Sequence, residues 1–156
     1  MIPEPIHRYL EERRLPYEHS THVRAVAAQR LAAAEHVTGE RVAKPVVVSV
    51  DGEMSLAVVA ATAKVDPDAL GRAVGARAVE LVPEQDFEGR FDPCEVGAEP
   101  PLGLFGMPIY VDADLAREPW FVCRAGTHED ALRIETAAWL RSERVKPVER
   151  LGRHEP

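Results

Sequence analysis

The 156-residue sequence has few cysteines, no long apolar run and no surplus of positive charge. Its two cysteines, Cys94 and Cys123, lie far apart and cannot form the disulfide framework of a small secreted domain. Every apolar run is shorter than the roughly 20 residues that cross a bilayer. The start of the chain, residues 1–5, lacks the basic and apolar regions of a signal peptide. We therefore expect a cytoplasmic protein that does not bind membranes.

The net charge of −7 also bears on the choice of partner. Proteins that hold nucleic acid mainly by electrostatic attraction are normally basic, so DNA is not an expected partner. Local potential and net charge are separate quantities, and a local basic patch can still bind one end of an RNA.

Several strong motifs are missing as well. The sequence has no phosphate-binding P-loop, no dinucleotide-binding glycine motif, no metalloprotease motif and no serine-hydrolase elbow. His19 and His22 are the only close histidine pair, and no third ligand lies beside them. We interpret them as surface residues and expect neither a metal nor a cofactor.

The hydrophobic pattern predicts about six short strands among four or five helices. A β-branched run at residues 41–50 reads as a buried strand, the Asp51–Gly52 pair as a hairpin turn, and residues 55–61 as the returning strand. Helices are predicted near residues 23–34 and from the Asp66–Pro67 pair onward. Because the elements do not alternate regularly, we predict an α+β domain with a mixed sheet.

We predict one domain over residues 1–156, with a polar, frayed tail from about Lys146. No repeat or second domain is visible in the sequence.

Lys44 is the first candidate functional residue. It lies with Arg41 at the mouth of the 41–50 strand, and strand alternation places Val42 and Lys44 on one face. If Val42 faces the core, Lys44 points inward or into a cleft, where an ammonium group needs an anion or a carbonyl. The alternative is an edge lysine that reaches water.

Two glycine-containing segments are the other candidates. In residues 100–108, Gly103 and Gly106 follow Leu102 and would let backbone N–H groups approach a ligand closely; a plain tight turn is the alternative. In residues 124–130, Gly126 permits a sharp turn, Thr127 can cap backbone donors and His128 can donate a hydrogen bond or shuttle a proton. The alternative there is a capped turn with a solvent-facing histidine.

Taken in order, these segments resemble the YbaK/ProX family of aminoacyl-tRNA editing deacylases, relatives of the editing domain in bacterial prolyl-tRNA synthetases. The resemblance covers about residues 5–142. It rests on Gly-Glu-Arg-Val-Ala-Lys at 39–44, Pro-Pro-Leu-Gly at 100–103, Pro-Ile-Tyr-Val-Asp at 108–112 and Ala-Gly-Thr-His-Glu at 125–129. It implies a mixed, partly closed, barrel-like sheet packed by helices.

The resemblance also implies hydrolysis of the ester between a wrong amino acid and the 3′-adenosine of tRNA, without a protein nucleophile or a cofactor. It gives catalytic roles to Lys44, Gly103 and His128, and substrate-binding roles to the following residues: Arg41, Leu102, Gly106, Gly126 and Thr127. These residues would then meet in one pocket. The tRNA 3′ end is the implied partner, and an aminoacyl-tRNA synthetase is a second candidate partner.

Two departures from the family pattern leave alternatives open. Pro45 stands where the family usually has a small polar residue, and proline removes a backbone donor. The 100–108 loop is also about one residue shorter than in many relatives. Pro45 and the acidic charge motivate a non-catalytic module that binds tRNA or a synthetase on the same fold. A hydrolase of another activated ester that uses Cys94 or Cys123 is a third hypothesis.

Overall fold

A computed structural model describes residues 1–154, apart from the side chain of Gln29. The helices are α1 (Glu4–Arg13), α2 (Ala28–Ala34), α3 (Pro67–Val74), α4 (Ala113–Ala116) and α5 (Thr136–Ser142). The strands are β1 (Tyr17–Thr21), β2 (Ala43–Val50), β3 (Glu53–Ala60), β4 (Ala63–Val65), β5 (Val79–Leu81), β6 (Ile109–Asp112), β7 (Trp120–Arg124), β8 (Asp130–Glu135), β9 (Lys146–Val148) and β10 (Gly152–His154). No helix in this part of the chain is long and apolar enough to cross a membrane.

The central sheet has the strand order β5-β2-β3-β6-β9. Strands β2 and β3 form the predicted antiparallel hairpin, and both turn residues, Asp51 and Gly52, have the positive φ that a type I′ turn requires. Strand β6 runs parallel to β3, and β9 runs parallel to β6. A second, antiparallel sheet has the order β1-β8-β7, and β10 pairs with β4.

Both faces of the central sheet are covered. The main core packs α1, α5, β7 and β8 against one face, where the Phe121 and Trp139 rings meet edge to face at 4.8 Å between centroids. A second core on the other face includes Leu70 of α3, Val148 and Leu151. Burial on both faces explains why residues 56–60 of β3 read as a continuous apolar run rather than an alternating one.

The prediction of a mixed α+β fold is confirmed, whereas the barrel-like closure is wrong. The strands form three separate sheets, and the described residues contain ten strands instead of about six. The additional strands include β4, β9 and β10, which have three residues each. A segment of that length is too short to display a two-residue hydrophobic period.

The predicted helix over residues 23–34 is also wrong in its first half. Helix α2 begins only at Ala28, and Val23 and Val26 are 80% and 62% exposed. The preceding segment is tied instead to a distant turn, because the His22 and Ala25 amides donate to the carbonyl oxygens of Glu129 and His128, both at 2.9 Å. These long-range contacts override the local helical spacing.

The frayed tail is the third correction. Strand β9 pairs with β6 and β10 pairs with β4. Leu151 between them is fully buried, and its carbonyl oxygen accepts a hydrogen bond from the Asp66 amide at 2.7 Å. Only a few apolar residues anchor this segment, which is why its composition reads as polar.

We expect Leu151→Ala to lower the free energy of unfolding by about 2–5 kcal/mol, because it leaves a cavity in the second core. The control Arg153→Ala, at an exposed position of β10, should change it by less than about 0.5 kcal/mol. Urea denaturation measures both. Equal unfolding midpoints for Leu151→Ala and the unaltered protein would contradict the packing of this segment.

Candidate active site

A cavity of about 160 Å³ opens at one edge of β2. Strand β5 covers this edge from Val48 to Val50, and Val42 forms a bridge to Val122 of β7. Between those two contacts no strand of the described chain pairs with this edge. The cavity fills the gap, and its apolar walls come from Val26, Leu31, Val42, Ala43 and neighbouring residues.

Lys44 lines this cavity and is half-buried. Its Nζ donates a hydrogen bond to the carbonyl oxygen of Ala63 at 2.8 Å. Burial lowers the pKa of the ammonium group, and the nearby charge of Lys64 lowers it further. An ammonium group has three N–H donors, and the contact with Ala63 uses one of them. Lys44 is therefore a partly desolvated cation held at the wall of a cavity.

Pro45 does not disturb the strand that carries Lys44. At one edge of β2, the Val42 carbonyl oxygen accepts a hydrogen bond from the Ala61 amide, on the side of β3. At the other edge, the Val47 carbonyl oxygen accepts a hydrogen bond from the Val82 amide, on the side away from β3. Because backbone polar groups alternate along a strand, Pro45 faces away from β3 as Val47 does. Its missing N–H group therefore removes no hydrogen bond from the β2–β3 ladder, and Lys44 keeps its regular partner Val59.

Gly97 lies in the same cavity wall and was missed by the sequence analysis. It belongs to a loop at residues 92–101, which contains no helix or strand. Two backbone hydrogen bonds hold this loop to the turn after β7: Glu95 N to Gly126 O and Gly126 N to Ala98 O, both at 2.8 Å. Gly97 has φ +79°, which suits glycine. No local signal distinguishes it from the other glycines in loops.

His128 is hydrogen-bonded to the loop that contains Gly97. Its side chain is 4% exposed, and its Nε2 lies 2.8 Å from the Val96 carbonyl oxygen. Since a carbonyl only accepts, Nε2 carries the proton, and the buried Nδ1 has no hydrogen-bond partner in the described part of the chain. The His128 amide also donates to Glu95 Oε1 at 2.7 Å, which is the main reason that the pKa of Glu95 is lowered. The alternative of a solvent-facing histidine at position 128 is therefore wrong.

The rest of this turn is capped as predicted. Thr127 Oγ1 accepts hydrogen bonds from the Glu129 and Asp130 amides and donates to Asp130 Oδ2 at 2.6 Å. A Cβ atom at Gly126 would lie only 2.7 Å from Pro3 and 2.8 Å from Ile6. The turn is thus packed tightly against the start of α1.

The 100–108 loop does not reach the cavity. The Gly103 amide donates to Glu143 Oε1 at 2.7 Å, and Leu102 is fully buried in the main core. Gly106 ends a short 3-10 turn with φ +75°. The structure therefore brings Lys44 and the 126–128 turn together through Gly97, and it does not bring Leu102, Gly103 or Gly106 to them.

Arg41 lies beside the cavity rather than in its wall. Its guanidinium carbon is 4.4 Å from the centre of the Trp120 ring, and its Nε lies 3.3 Å from Glu118 Oε2. These two contacts hold the side chain on the outer surface next to β7.

Arg124 is the second wall residue that the sequence analysis missed. Its side chain donates to the carbonyl oxygens of Ala25 and Val26, the latter at 2.6 Å, and only 5% of the residue is exposed. Burial lowers the pKa of the guanidinium, which nonetheless keeps its charge at neutral pH. The cavity wall therefore contains two cations, Lys44 and Arg124, and no carboxylate.

Glu99 lies close enough to Arg124 for their charges to interact, yet it faces a different cavity. It is 6% exposed. Burial raises the pKa of its carboxyl to about 6; its own backbone N–H and Arg124 oppose this rise, and Glu84 adds to it. Within residues 1–154, no group of three or more His, Cys, Asp or Glu side chains is arranged to hold a metal ion.

Comparisons with known proteins place this geometry in context. Residues 22–142 match the family model of the aminoacyl-tRNA editing domain. Among curated proteins, none matches the chain.

Solved structures show the same fold. A candidate trans-editing enzyme for prolyl-tRNA synthetase has a TM-score of 0.76 at 21% identity, with 96% of this chain and 98% of that chain covered. The hypothetical protein APE2540 has a TM-score of 0.81 at 17% identity, with 93% and 99% covered. A candidate signal-transduction protein from Marinobacter aquaeolei VT8 has a TM-score of 0.69 at 15% identity, and the match covers 94% of this chain and 30% of that one.

We expect Gly126→Ala to lower the free energy of unfolding by about 2–5 kcal/mol, since it adds an overlap with Pro3 and Ile6 to the strain of a positive φ. Gly106→Ala is the matched control, because its φ is also positive and nothing lies within 4 Å of the added Cβ. It should cost only about 1–2 kcal/mol. Equal losses in urea denaturation would contradict the tight packing of the turn.

The raised pKa of Glu99 predicts that the stability of the protein depends on pH. The pKa of Glu99 is about 6 in the folded protein, above its ordinary value of 4.5. Ionisation of the carboxyl therefore destabilises the folded state. This loss of stability is complete above pH 6 and absent well below pH 4.5, where the carboxyl is protonated in both states. The difference of about 1.5 in pKa corresponds to about 2 kcal/mol. Relative to the unaltered protein, Glu99→Gln should therefore be more stable at about pH 7.5 than at about pH 3.5 by that amount.

Thermal or urea unfolding at the two pH values measures this difference. The control Glu88→Gln removes an exposed carboxylate and should show almost no such pH dependence. A pH-independent effect of Glu99→Gln would contradict the buried, destabilised carboxylate.

Proposed function

Because the chain belongs to the aminoacyl-tRNA editing domain family, we propose that it hydrolyses the ester between an amino acid and the 3′-terminal adenosine of tRNA. The observation that carries the proposal is the β2-edge cavity, where the two cations Lys44 and Arg124 meet the backbone of Gly97. A cationic, carboxylate-free cavity suits a reaction in which negative charge develops on a carbonyl oxygen.

The reaction needs no protein nucleophile. A water oxygen adds to the ester carbonyl carbon, the bond from that carbon to the ribose oxygen breaks, and the ribose oxygen takes a proton. The amino acid leaves as a carboxylate, and the second proton of the water passes to the solvent. Lys44 stabilises the oxygen that becomes negative, and the backbone at Gly97 approaches the substrate closely because no side chain intervenes. An aminoacyl ester is already activated, so positioned charges suffice to lower the barrier.

The cavity walls support a small aminoacyl group. The walls near Lys44 are Val26, Leu31, Val42 and Ala43, and the volume is about 160 Å³. Apolar walls with few polar groups are typical of sites that select a side chain by size. We therefore propose a small, uncharged side chain on the mischarged tRNA.

The turn residues act indirectly in this proposal. Gly126, Thr127 and His128 hold the Gly97 loop in place, and we propose them as positioning residues rather than as groups that touch the ester. Arg41 lies beside the cavity, which supports contact with the tRNA end rather than with the amino acid. The roles that the resemblance implies for Leu102, Gly103 and Gly106 stay predictions, and the cavity wall does not support them.

The proposed partner is the aminoacylated 3′ end of tRNA, and the proposed setting is hydrolysis in trans. The similarity to a candidate trans-editing enzyme for prolyl-tRNA synthetase supports a synthetase as a second partner.

The two competing hypotheses lose support. Pro45 motivates a non-catalytic module, yet it lies at an unpaired strand edge and leaves the Lys44 backbone regular. A cysteine nucleophile must ionise to react. Burial raises the pKa of Cys123, and burial with the charges of Glu99 and Asp92 raises that of Cys94 to about 12. Both thiols therefore stay protonated at neutral pH.

We expect the protein to hydrolyse at least one member of a panel of mischarged tRNAs, and Lys44→Ala to lower kcat/KM for that substrate by about 100-fold or more. The control Lys146→Ala removes an exposed lysine from β9, away from the cavity, and should change kcat/KM less than about twofold. Release of radiolabelled amino acid measures hydrolysis.

No hydrolysis above background with the enzyme in excess over every tRNA in the panel would refute the proposed reaction. Equal activity of Lys44→Ala and Lys146→Ala would refute the role of Lys44.

A further inference from the structure

We propose that an acidic cavity adjoining the Gly97 loop binds the α-ammonium group of the aminoacyl ester, with Glu99 as its main acceptor. The inference rests on the proposed function and assigns a subsite to the same substrate. The observations that carry it are the composition of this cavity, the state of Glu99 and the position of Gly97 between two cavities of opposite charge.

The cavity measures about 70 Å³, and five acidic residues line it together with Phe87 and Phe91. No lysine or arginine belongs to its wall. Three of the carboxylates, Glu84, Glu88 and Asp92, are exposed, so water screens their charges. Glu95 is already occupied, because it accepts hydrogen bonds from the His128 amide and from Arg24.

Glu99 differs from the other four. It is more than nine-tenths buried, and apart from its own backbone N–H no group in the described part of the chain donates a hydrogen bond to its carboxylate. Arg124 interacts with it through charge, while the guanidinium donates to the carbonyl oxygens of Ala25 and Val26. Buried carboxylates normally accept hydrogen bonds from a cationic side chain, and no lysine or arginine of the described residues donates one to Glu99, so its place at a cavity wall indicates a cationic ligand.

The position of Gly97 connects the two cavities. Gly97 lines the cationic cavity with Lys44 and Arg124, and it also lines the acidic cavity with Glu99. An α-amino acid ester has the matching pattern of charge, because its ammonium group sits on the carbon next to the carbonyl. With the carbonyl oxygen at the cations, the ammonium group points toward the acidic side of the loop.

A metal ion is the less suitable occupant. The carboxylates are not grouped as ligands for a metal anywhere in residues 1–154. The small volume and the aromatic walls fit one ammonium group, which aromatic faces also attract.

The test compares two substrates and two variants. The best aminoacyl-tRNA of the panel is paired with the same tRNA carrying the matching α-hydroxy acid, which keeps the side chain and the ester but replaces the ammonium group with a hydroxyl group. Glu99→Gln should lower kcat/KM for the aminoacyl ester by about tenfold or more, since a hydrogen bond between charged groups is lost. It should change kcat/KM for the hydroxyacyl ester less than about twofold.

The matched control is Glu12→Gln, which removes an exposed carboxylate of α1 that lines neither cavity and should change both values less than about twofold. Because each variant is compared with the unaltered protein on the same ester, the different intrinsic reactivity of the two esters cancels. Circular dichroism and thermal unfolding verify that the variants are folded.

The outcomes separate the two proposals. If the unaltered protein hydrolyses both esters and Glu99→Gln slows both equally, the ammonium subsite is wrong and the proposed function stands. If no ester is hydrolysed, both proposals are wrong.

A binding measurement on the unaltered protein keeps the inference testable even if Glu99→Gln fails to fold. A 3′-amide-linked aminoacyl adenosine should bind at least about tenfold more tightly than its hydroxyacyl counterpart in calorimetry at pH 7. Equal affinity of the two analogues would overturn the inference.

Discussion

The arrangement of the site depends on one contact, the hydrogen-bonded junction between residues 95–98 and residues 126–128. Four hydrogen bonds join these segments. Two connect backbone groups, the third runs from the His128 amide to the Glu95 carboxylate, and the fourth runs from the His128 ring to the Val96 carbonyl oxygen. The 126–128 turn connects two strands of the main core, so it has a fixed position. The 95–98 segment belongs to no helix or strand. The junction therefore fixes the position of Gly97, whose backbone lines the same cavity as Lys44.

The junction also explains how an acidic protein holds a cationic cavity. The chain has a net charge of −7, and the acidic residues near the site line a different cavity from the one that Lys44 lines. Arg124 donates to the carbonyl oxygens of Ala25 and Val26, and Val26 lines the same cavity. Separating the charges in this way keeps the cations near the proposed carbonyl and the carboxylates near the proposed ammonium group. Net charge alone does not reveal such a pattern.

The sequence predicts those features that depend on neighbouring residues. The Asp51–Gly52 hairpin, the helix that Asp66 caps and the family are all readable from short segments, and Lys44 follows from strand alternation and the resemblance. Gly97 and Arg124 are not readable in this way. Arg124 contacts Ala25, which is 99 positions away in the chain, and Gly97 becomes distinctive only through its junction with the turn. Gly103 shows the converse error, because a glycine that packs against Tyr9 and Glu143 has the same local pattern as one that faces a ligand.

The state of the ionisable groups determines which chemistry the site can support. Both thiols stay protonated at neutral pH, and the proton on His128 Nε2 is held by the Val96 carbonyl oxygen. These three side chains therefore do not form a nucleophile with an adjacent base. What the cavity does contain is charge in fixed positions, and charge lowers a barrier only when it is oriented before the reaction begins. A site of this kind depends on rigidity more than on the identity of any one reactive side chain. The tight turn at Gly126 and the buried His128 contribute to such a site because they hold the loop that contains Gly97 in place.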